Sequence, residues 1–267
     1  MRNLTKQELV QCELSILIDI DEFCKQNGLT YFLSGGTLLG AVRHQGFIPW
    51  DDDIDLMMPR VDYDRFLAEY SSPNFLVYSL KTHPSCRFPF AKVYDSRTVV
   101  AEGALRGKVE FGVFVDIFPL DVAPNSSRGI KKQVNRSLFY QQLLKIKLSS
   151  PGEHWNFRMN VMIRIAKLFL ICLSESSLSK RIDTIARSSS HCQTTHMGCM
   201  VWGYREKEIL ETNAFASAVP MKFENLVFLA PRGYHEYLSS LYGDYMKLPP
   251  KEKQVSKHDF EAYWIEE

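Results

Sequence analysis

The sequence predicts a mixed α/β (α+β) protein: a mixed sheet flanked by helices, followed by a mainly helical second half. Three observations point there. Up to about residue 120, segments of helical periodicity alternate with short apolar runs of strand length. A glycine pair, Gly35-Gly36, separates one such run from a short helix. From Arg128 onward the apolar pattern turns to long helical stretches.

The elements follow in order. Leu4 to Asn27 has Leu9, Cys12, Ile16, Ile20 and Phe23 at helical spacing, with Asn27-Gly28 as its stop. Thr30–Leu33 reads as a short strand leading into a glycine turn, and Thr37–Arg43 as a short helix. Asp53–Met58 reads as a strand ended by Pro59, and Asp62–Tyr70 as a helix. Phe75–Leu80, Phe90–Tyr94 and Gly112–Phe118 are further strands; Thr98–Gly107 fits strand or loop. Arg128–Lys147, Asn156–Leu173 and Leu178–Ser188 read as helices. Phe223–Ala230 reads as a strand, Gly233–Leu241 as a helix, and the tail from Gly243 to His258 as irregular. A boundary near Pro124–Arg128 divides an N-terminal mixed-sheet core, 1–125, from a helical lobe with a C-terminal strand, helix and tail, 126–267, packed as one unit.

Composition narrows the classes. The 267 residues are 45% hydrophobic with a formal net charge of +1, so no global basic field points to nucleic acid. The N-terminus reads without a signal peptide, and no apolar run reaches the roughly 18 residues of a membrane span. Six scattered cysteines without a Cys-x-x-Cys pair suit reduced thiols in a cytoplasmic protein.

The chemistry concentrates between Leu33 and Met58. On a strand Asp53 and Asp55 share a face, and two close carboxylates repel unless a proton or cation intervenes. Oxygen-only ligation suits Mg²⁺ or Mn²⁺. Asp116 is a lone charge in the apolar run 113–118, where a metal or a cationic partner would relieve it. Gly35 and Gly36 allow a phosphate to approach a helix N-terminus, to which Ser34 and Thr37 add hydroxyls. Arg43 and His44, just beyond, can reach phosphate oxygens or an acceptor.

The stretch from Ser34 to Asp55, the later 115–121 run VDIFPLD, and the tail 241–250, LYGDYMKLPP, together resemble the LicD family of the nucleotidyltransferase-fold superfamily. The likeness spans most of the chain, loosely between Arg128 and Met197. It implies a nucleotidyltransferase-like sheet and transfer of phosphocholine from CDP-choline to a sugar hydroxyl of a cell-surface glycan, a lipopolysaccharide or teichoic-acid precursor, with release of CMP. By motif position Asp53, Asp55 and Asp116 would be catalytic and hold Mg²⁺ or Mn²⁺. Ser34, Gly35, Gly36, Thr37, Arg43 and Trp50 would bind the donor, with Gly35 and Gly36 flanking its phosphates. Asp116 would take the acceptor's proton. Trp50, then Phe47, would offer choline an aromatic face, against plain packing under the loop. The alternatives are a same-fold transferase of another phospho-alcohol or nucleotidyl group, and a non-catalytic nucleotide-binding protein.

Weaker signals remain. His191, Cys192, His196 and Cys199 resemble a metal site, but the spacing fits no standard zinc pattern and a polar loop is the better reading. Lys131, Lys132, Arg136, Lys145 and Lys147 share a helix with Leu138, Phe139, Leu143, Leu144 and Ile146. That pattern suits peripheral contact with an anionic membrane at the inner face, or packing on the catalytic core. Lys92, Arg97 and His258 are candidate donor or acceptor contacts; Arg205 and Lys207 read as surface charges. The sequence is silent on oligomeric state.

Overall fold

Helix α1 (Lys6–Asn27), preceded by a two-residue strand β1 (Arg2–Asn3), forms because its ends and its inner face agree. The Thr5 hydroxyl accepts from the Glu8 amide and the Glu8 carboxylate accepts from the Thr5 amide, a closed capping box. Gly28 ends the helix. Ile16, Leu17, Ile20 and Cys24 are buried in the main core, and Cys12 in a small cluster with Val100, Val113 and Ala262. The computed structural model describes residues 2–51, 53–102, 111–149, 157–190, 194–255 and 260–265.

The chain continues through β2 (Phe32–Leu33), α2 (Gly35–His44), β3 (Asp55–Pro59), α3 (Arg60–Glu69), β4 (Phe75–Tyr78), β5 (Ala91–Asp95), β6 (Thr98–Glu102) and β7 (Phe114–Ala123). The main sheet runs β2-β3-β7-β5-β4. β3 and β7 are parallel and the other neighbours antiparallel, so the sheet is mixed as predicted. Leu33, Leu56, Met57, Val93, Val115 and Ile117 are buried in its core.

Helices α4 (Ser127–Leu148), α5 (Phe157–Phe169) and α6 (Glu175–Ala186) make up the helical stretch. α4 and α6 enclose a second core of Val134, Leu144, Leu178 and Ile182, which meets the first at Phe118. A buried ion pair fastens α6 to the sheet: Arg60 donates twice to Asp121 of β7, at 2.7 and 2.5 Å, and once to Asp183 of α6, at 2.9 Å. Short strands β8 (His196–Gly198) and β9 (Leu210–Glu211) extend the far end of β7.

One expectation changes here. Phe223–Ala230 is not a single strand: it crosses the turn of a hairpin, β10 (Ala218–Phe223) and β11 (Leu226–Pro231), which turns at Glu224. Pro220 masked the first strand, yet the ribbon has only two strands, where proline is tolerated. After α7 (Tyr234–Tyr242), the chain ends in β12 (Phe260–Trp264), the central strand of a small sheet with β1 and β6. The strand option for the stretch beginning at Thr98 holds through Glu102. No helix among the described residues is long and apolar enough to cross a membrane.

Candidate active site

The glycine pair does not form a turn before the helix; it is the helix's first turn. Ser34 is the N-cap and Gly35 sits at φ +49°, a conformation L side chains avoid. A Cβ at Gly35 would lie 3.1 Å from Asp55 Oδ2, and one at Gly36 would lie 2.4 Å from Asp51 Oδ2. The two glycines therefore admit two carboxylates to the N-terminus of α2, where unsatisfied N–H groups and the helix dipole favour negative charge. Asp51 thereby joins the site.

Thr37 holds this loop together. Its buried hydroxyl accepts from the Asp55 amide at 2.8 Å and donates to the Asp53 carbonyl at 3.4 Å. Ser34 adds a backbone bond, its amide donating to the Asp55 carbonyl at 2.9 Å. Asp53 consequently lies in the loop before β3, not on the strand as expected, and Asp55 is the strand's first residue. Asp52 lies outside the described residues.

Asp55 and Asp116 pair in register across parallel β3 and β7, and Lys92 on β5 pairs with Asp116 from the other side. Lys92 Nζ donates to Asp116 Oδ1 at 2.5 Å. Lys92 is 4% exposed, and its ammonium lies 3.5 Å from the Phe114 ring centroid, with Phe88, Phe90 and Phe111 farther out. The cationic partner that Asp116 required is therefore this lysine. Burial pushes the Asp55 carboxyl well above the usual carboxylate range; Asp53 and Asp116 add to the shift and Lys92 opposes it.

The donor set is all carboxylate, which fits a hard divalent cation. Among the described residues no three acid, His or Cys side chains converge into a ready ligand set. Mg²⁺ usually takes one or two carboxylates and completes its shell with water and substrate phosphates, so Asp55 with its acidic neighbours suffices for such a site.

A cavity of about 240 Å³ opens beside Asp55 and Gly35. Its wall includes Phe118, Trp202, Tyr204, Glu208 and Tyr237, with Lys145 of α4 at the lining. Lys145 Nζ lies 4.7 Å from the Trp202 ring centroid. A buried chain runs behind the wall: Ser34 Oγ and Tyr237 Oη are 3.1 Å apart, and Tyr237 Oη donates to Glu208 Oε2 at 3.0 Å. The Tyr204 amide donates to Glu208 Oε1 at 3.2 Å, and burial pushes the Glu208 carboxyl up to about 7. A second cavity, lined by Asp64, Asp183 and Arg187 among others, touches none of these carboxylates, and Arg187 already pairs with both acids.

Other expected residues stand elsewhere. Arg43, at the far end of α2, donates to the Tyr245 carbonyl at 2.9 Å. Trp50 packs edge-on against His44, and Phe47 against Phe223. Arg97 pairs with Asp95, and Lys207 donates to the Leu241 carbonyl. Cys199 donates to the Trp202 carbonyl and His196 neighbours the Thr195 hydroxyl; His191, Cys192 and His258 lie outside the described residues. Asp51 lies within the motif but was given no role, while Trp202, Glu208 and Tyr237 were missed because only folding sets them beside it. The bulky aromatics flanking Gly203 were the one local signal.

Comparison with known proteins finds relatives of this chain. Residues 28–142 match the LicD/FKTN/FKRP nucleotidyltransferase domain. The chain is 32% identical over 273 residues to the lipopolysaccharide cholinephosphotransferase LicD of Haemophilus influenzae, covering 98% of this chain and 99% of that protein. It is 62% identical over 29 residues to the human ribitol 5-phosphate transferase FKRP, 11% of this chain and 6% of that one. It is 30% identical over 130 residues to the yeast mannosyltransferase regulator 4, 46% of this chain and 11% of that one. With its acidic strand pair beside a glycine-opened helix and a full-length relative of this kind, the chain belongs to the LicD family of transferase enzymes.

Proposed function

We propose that the protein transfers phosphocholine from CDP-choline to a sugar hydroxyl of a cell-surface glycan, first of all a lipopolysaccharide and otherwise a teichoic-acid precursor, releasing CMP. The observation that carries the reading is the Asp55–Asp116 pair, set between the N-terminus of α2 and a cavity with an aromatic wall. The full-length likeness to a lipopolysaccharide cholinephosphotransferase supports the substrate class.

Asp53, Asp55 and Asp116 would hold Mg²⁺ or Mn²⁺, which when bound supplies positive charge against the donor's phosphates. The free N–H groups of α2 bind phosphate oxygen. The acceptor hydroxyl oxygen forms a bond to the choline-bearing phosphorus as the bond to CMP breaks. Asp116 takes the hydroxyl proton, and positioning and charge stabilisation supply most of the rate. Trp202, on the cavity wall beside Asp55, offers the aromatic face for the quaternary ammonium, whereas Trp50 packs on His44. On this reading the reaction runs in the cytoplasm, at the inner face of the membrane.

One observation favours a second reading, transfer of another phospho-alcohol: the short, strong likeness to a ribitol 5-phosphate transferase. Thermal shift of the purified protein with Mg²⁺ and CDP-choline, CDP-ethanolamine, CDP-glycerol, CDP-ribitol, CTP or ATP separates the two, since a ligand at 100 times its Kd stabilises by about 2.7 kcal/mol. A Mg²⁺-dependent shift with CDP-choline, lost in Asp53→Ala and followed by CMP release with an acceptor, is expected. A shift with CDP-ribitol or CDP-glycerol alone moves the function to the second reading.

A further inference from the structure

Helix α5 is built the wrong way round for a helix that packs on a core. Phe157, Val161, Ile165 and Leu168 form one stripe along it, widened by Met162 and Phe169, and all six are exposed. Phe157 is 82% and Phe169 84% exposed. The side turned to the protein buries Ile163 and, just past the helix end, Leu170; Ile171, beyond, is again exposed. An amphipathic helix ordinarily turns such a stripe inward, and a contiguous exposed apolar patch marks an interaction surface.

The charge around the patch says what covers it. Between Ser127 and Leu173 the sequence carries nine Lys and Arg and a single acid, Glu153, in a chain whose formal net charge is only +1. Arg158, Arg164 and Lys167 lie on α5 itself, and α4 carries the other six. Apolar side chains framed by an excess of basic residues fit the interface of an anionic bilayer. At 13 residues α5 is roughly 20 Å long, too short to span and suited to lying in the plane. For α4 the sequence pattern left membrane contact and packing on the core both open, and α4 buries Val134 and Leu144 in the second core.

The patch is also joined to the site. Lys147 Nζ donates to the Leu170 carbonyl at 3.3 Å, while Lys145, two residues earlier, lines the cavity beside Asp55. The last turn of α4 thus touches the end of α5 on one side and the cavity on the other.

We infer that the exposed apolar face of α5, with the basic residues of α4 and α5, is a docking surface for an anionic lipid bilayer, holding the cavity next to membrane-borne acceptors. This rests on the reading that the acceptor is presented at a membrane. The test is cosedimentation of the full chain with vesicles of phosphatidylcholine alone and of phosphatidylcholine with phosphatidylglycerol, across a salt series. Roughly tenfold more binding to the anionic vesicles, weakened by salt and lost in Ile165→Glu/Leu168→Glu/Phe169→Glu, is expected. The variant should melt like the parent and keep its donor-dependent thermal shift, because its three positions are exposed and away from the cavity. No binding to either vesicle, or equal binding to both, overturns the inference. So does a concentration-dependent dimer that the triple variant dissolves, because a second copy then covers the face. Vesicle binding needs no nucleotide: a protein that binds vesicles but not CDP-choline loses the donor assignment alone, and the converse loses the docking surface alone.

Discussion

Lys92 and Asp116 form a buried ion pair, 2.5 Å between Nζ and Oδ1, on adjacent antiparallel strands, with Asp55 on Asp116's other flank. Removing one partner of such a pair leaves an uncompensated buried charge, which costs about 3–5 kcal/mol. Lys92→Met keeps most of the volume and removes the charge. It is expected to lower unfolding free energy in urea by that order and to abolish turnover. A folded, fully active Lys92→Met would show that Asp116 has another cationic partner in solution.

Asp55 presents the opposite balance. Its carboxylate is held where burial and neighbouring acids disfavour it, so the metal-free protein carries a local cost for a functional charge. Asp55→Asn retains shape and removes the charge. Substitutions of this kind commonly stabilise by about 0.5–2 kcal/mol at the expense of activity. Denaturation in chelator should show the gain, and CMP release should fall to background. A loss of stability would mean that Asp55 is satisfied by its surroundings.

Gly36 tests whether the seat of Asp51 matters. An alanine Cβ would stand 2.4 Å from Asp51 Oδ2, so that carboxylate must leave the helix N-terminus. The helix itself gains, since alanine exceeds glycine by about 1 kcal/mol in helical propensity. Gly36→Ala is expected to melt no lower than the parent while donor affinity drops roughly tenfold, about 1.4 kcal/mol. Unchanged affinity by titration calorimetry would remove Asp51 from the site.

How much of this was legible depended on whether the signal was local. The Asn27-Gly28 stop and the apolar spacing of α1 are written within one helix and were readable; the Thr5–Glu8 cap, equally local, went unread. The acidic motif and the lone charge at Asp116 were readable too, because a carboxylate in an apolar strand demands a partner. That partner is 24 residues away on β5, and no spacing rule links Lys92 to it. Thr37 reads as a donor-binding hydroxyl, yet only the fold shows it bonded to the Asp53–Asp55 backbone. Tyr237 reaches Ser34 from α7, and Glu208 reaches Tyr237 from the connection between β8 and β9, both late in the chain. The hairpin at Pro220 was hidden because proline argues against a strand everywhere except in such a ribbon. The exposed stripe of α5 has the same periodicity as a buried one, so periodicity alone could not tell which way it faces.

The final prediction concerns Glu208, whose buried carboxyl accepts from Tyr237 and the Tyr204 amide and is pushed up to about 7 against an ordinary value of 4.5. In the unfolded chain this group ionises first as pH rises. Between about pH 4.5 and 7 the folded state therefore binds more protons than the unfolded one, and stability falls with rising pH across that window. Below it the group contributes no difference; above it the full deficit of about 3 kcal/mol is present. Glu208→Gln keeps an acceptor for the Tyr204 amide and a polar partner for Tyr237 without the titration. Unfolding free energies measured at about pH 5 and about pH 8 should show the variant gaining about 2 kcal/mol on the parent between the two. Parallel pH profiles for parent and variant would mean that Glu208 ionises at an ordinary pH and that water reaches the wall behind the cavity.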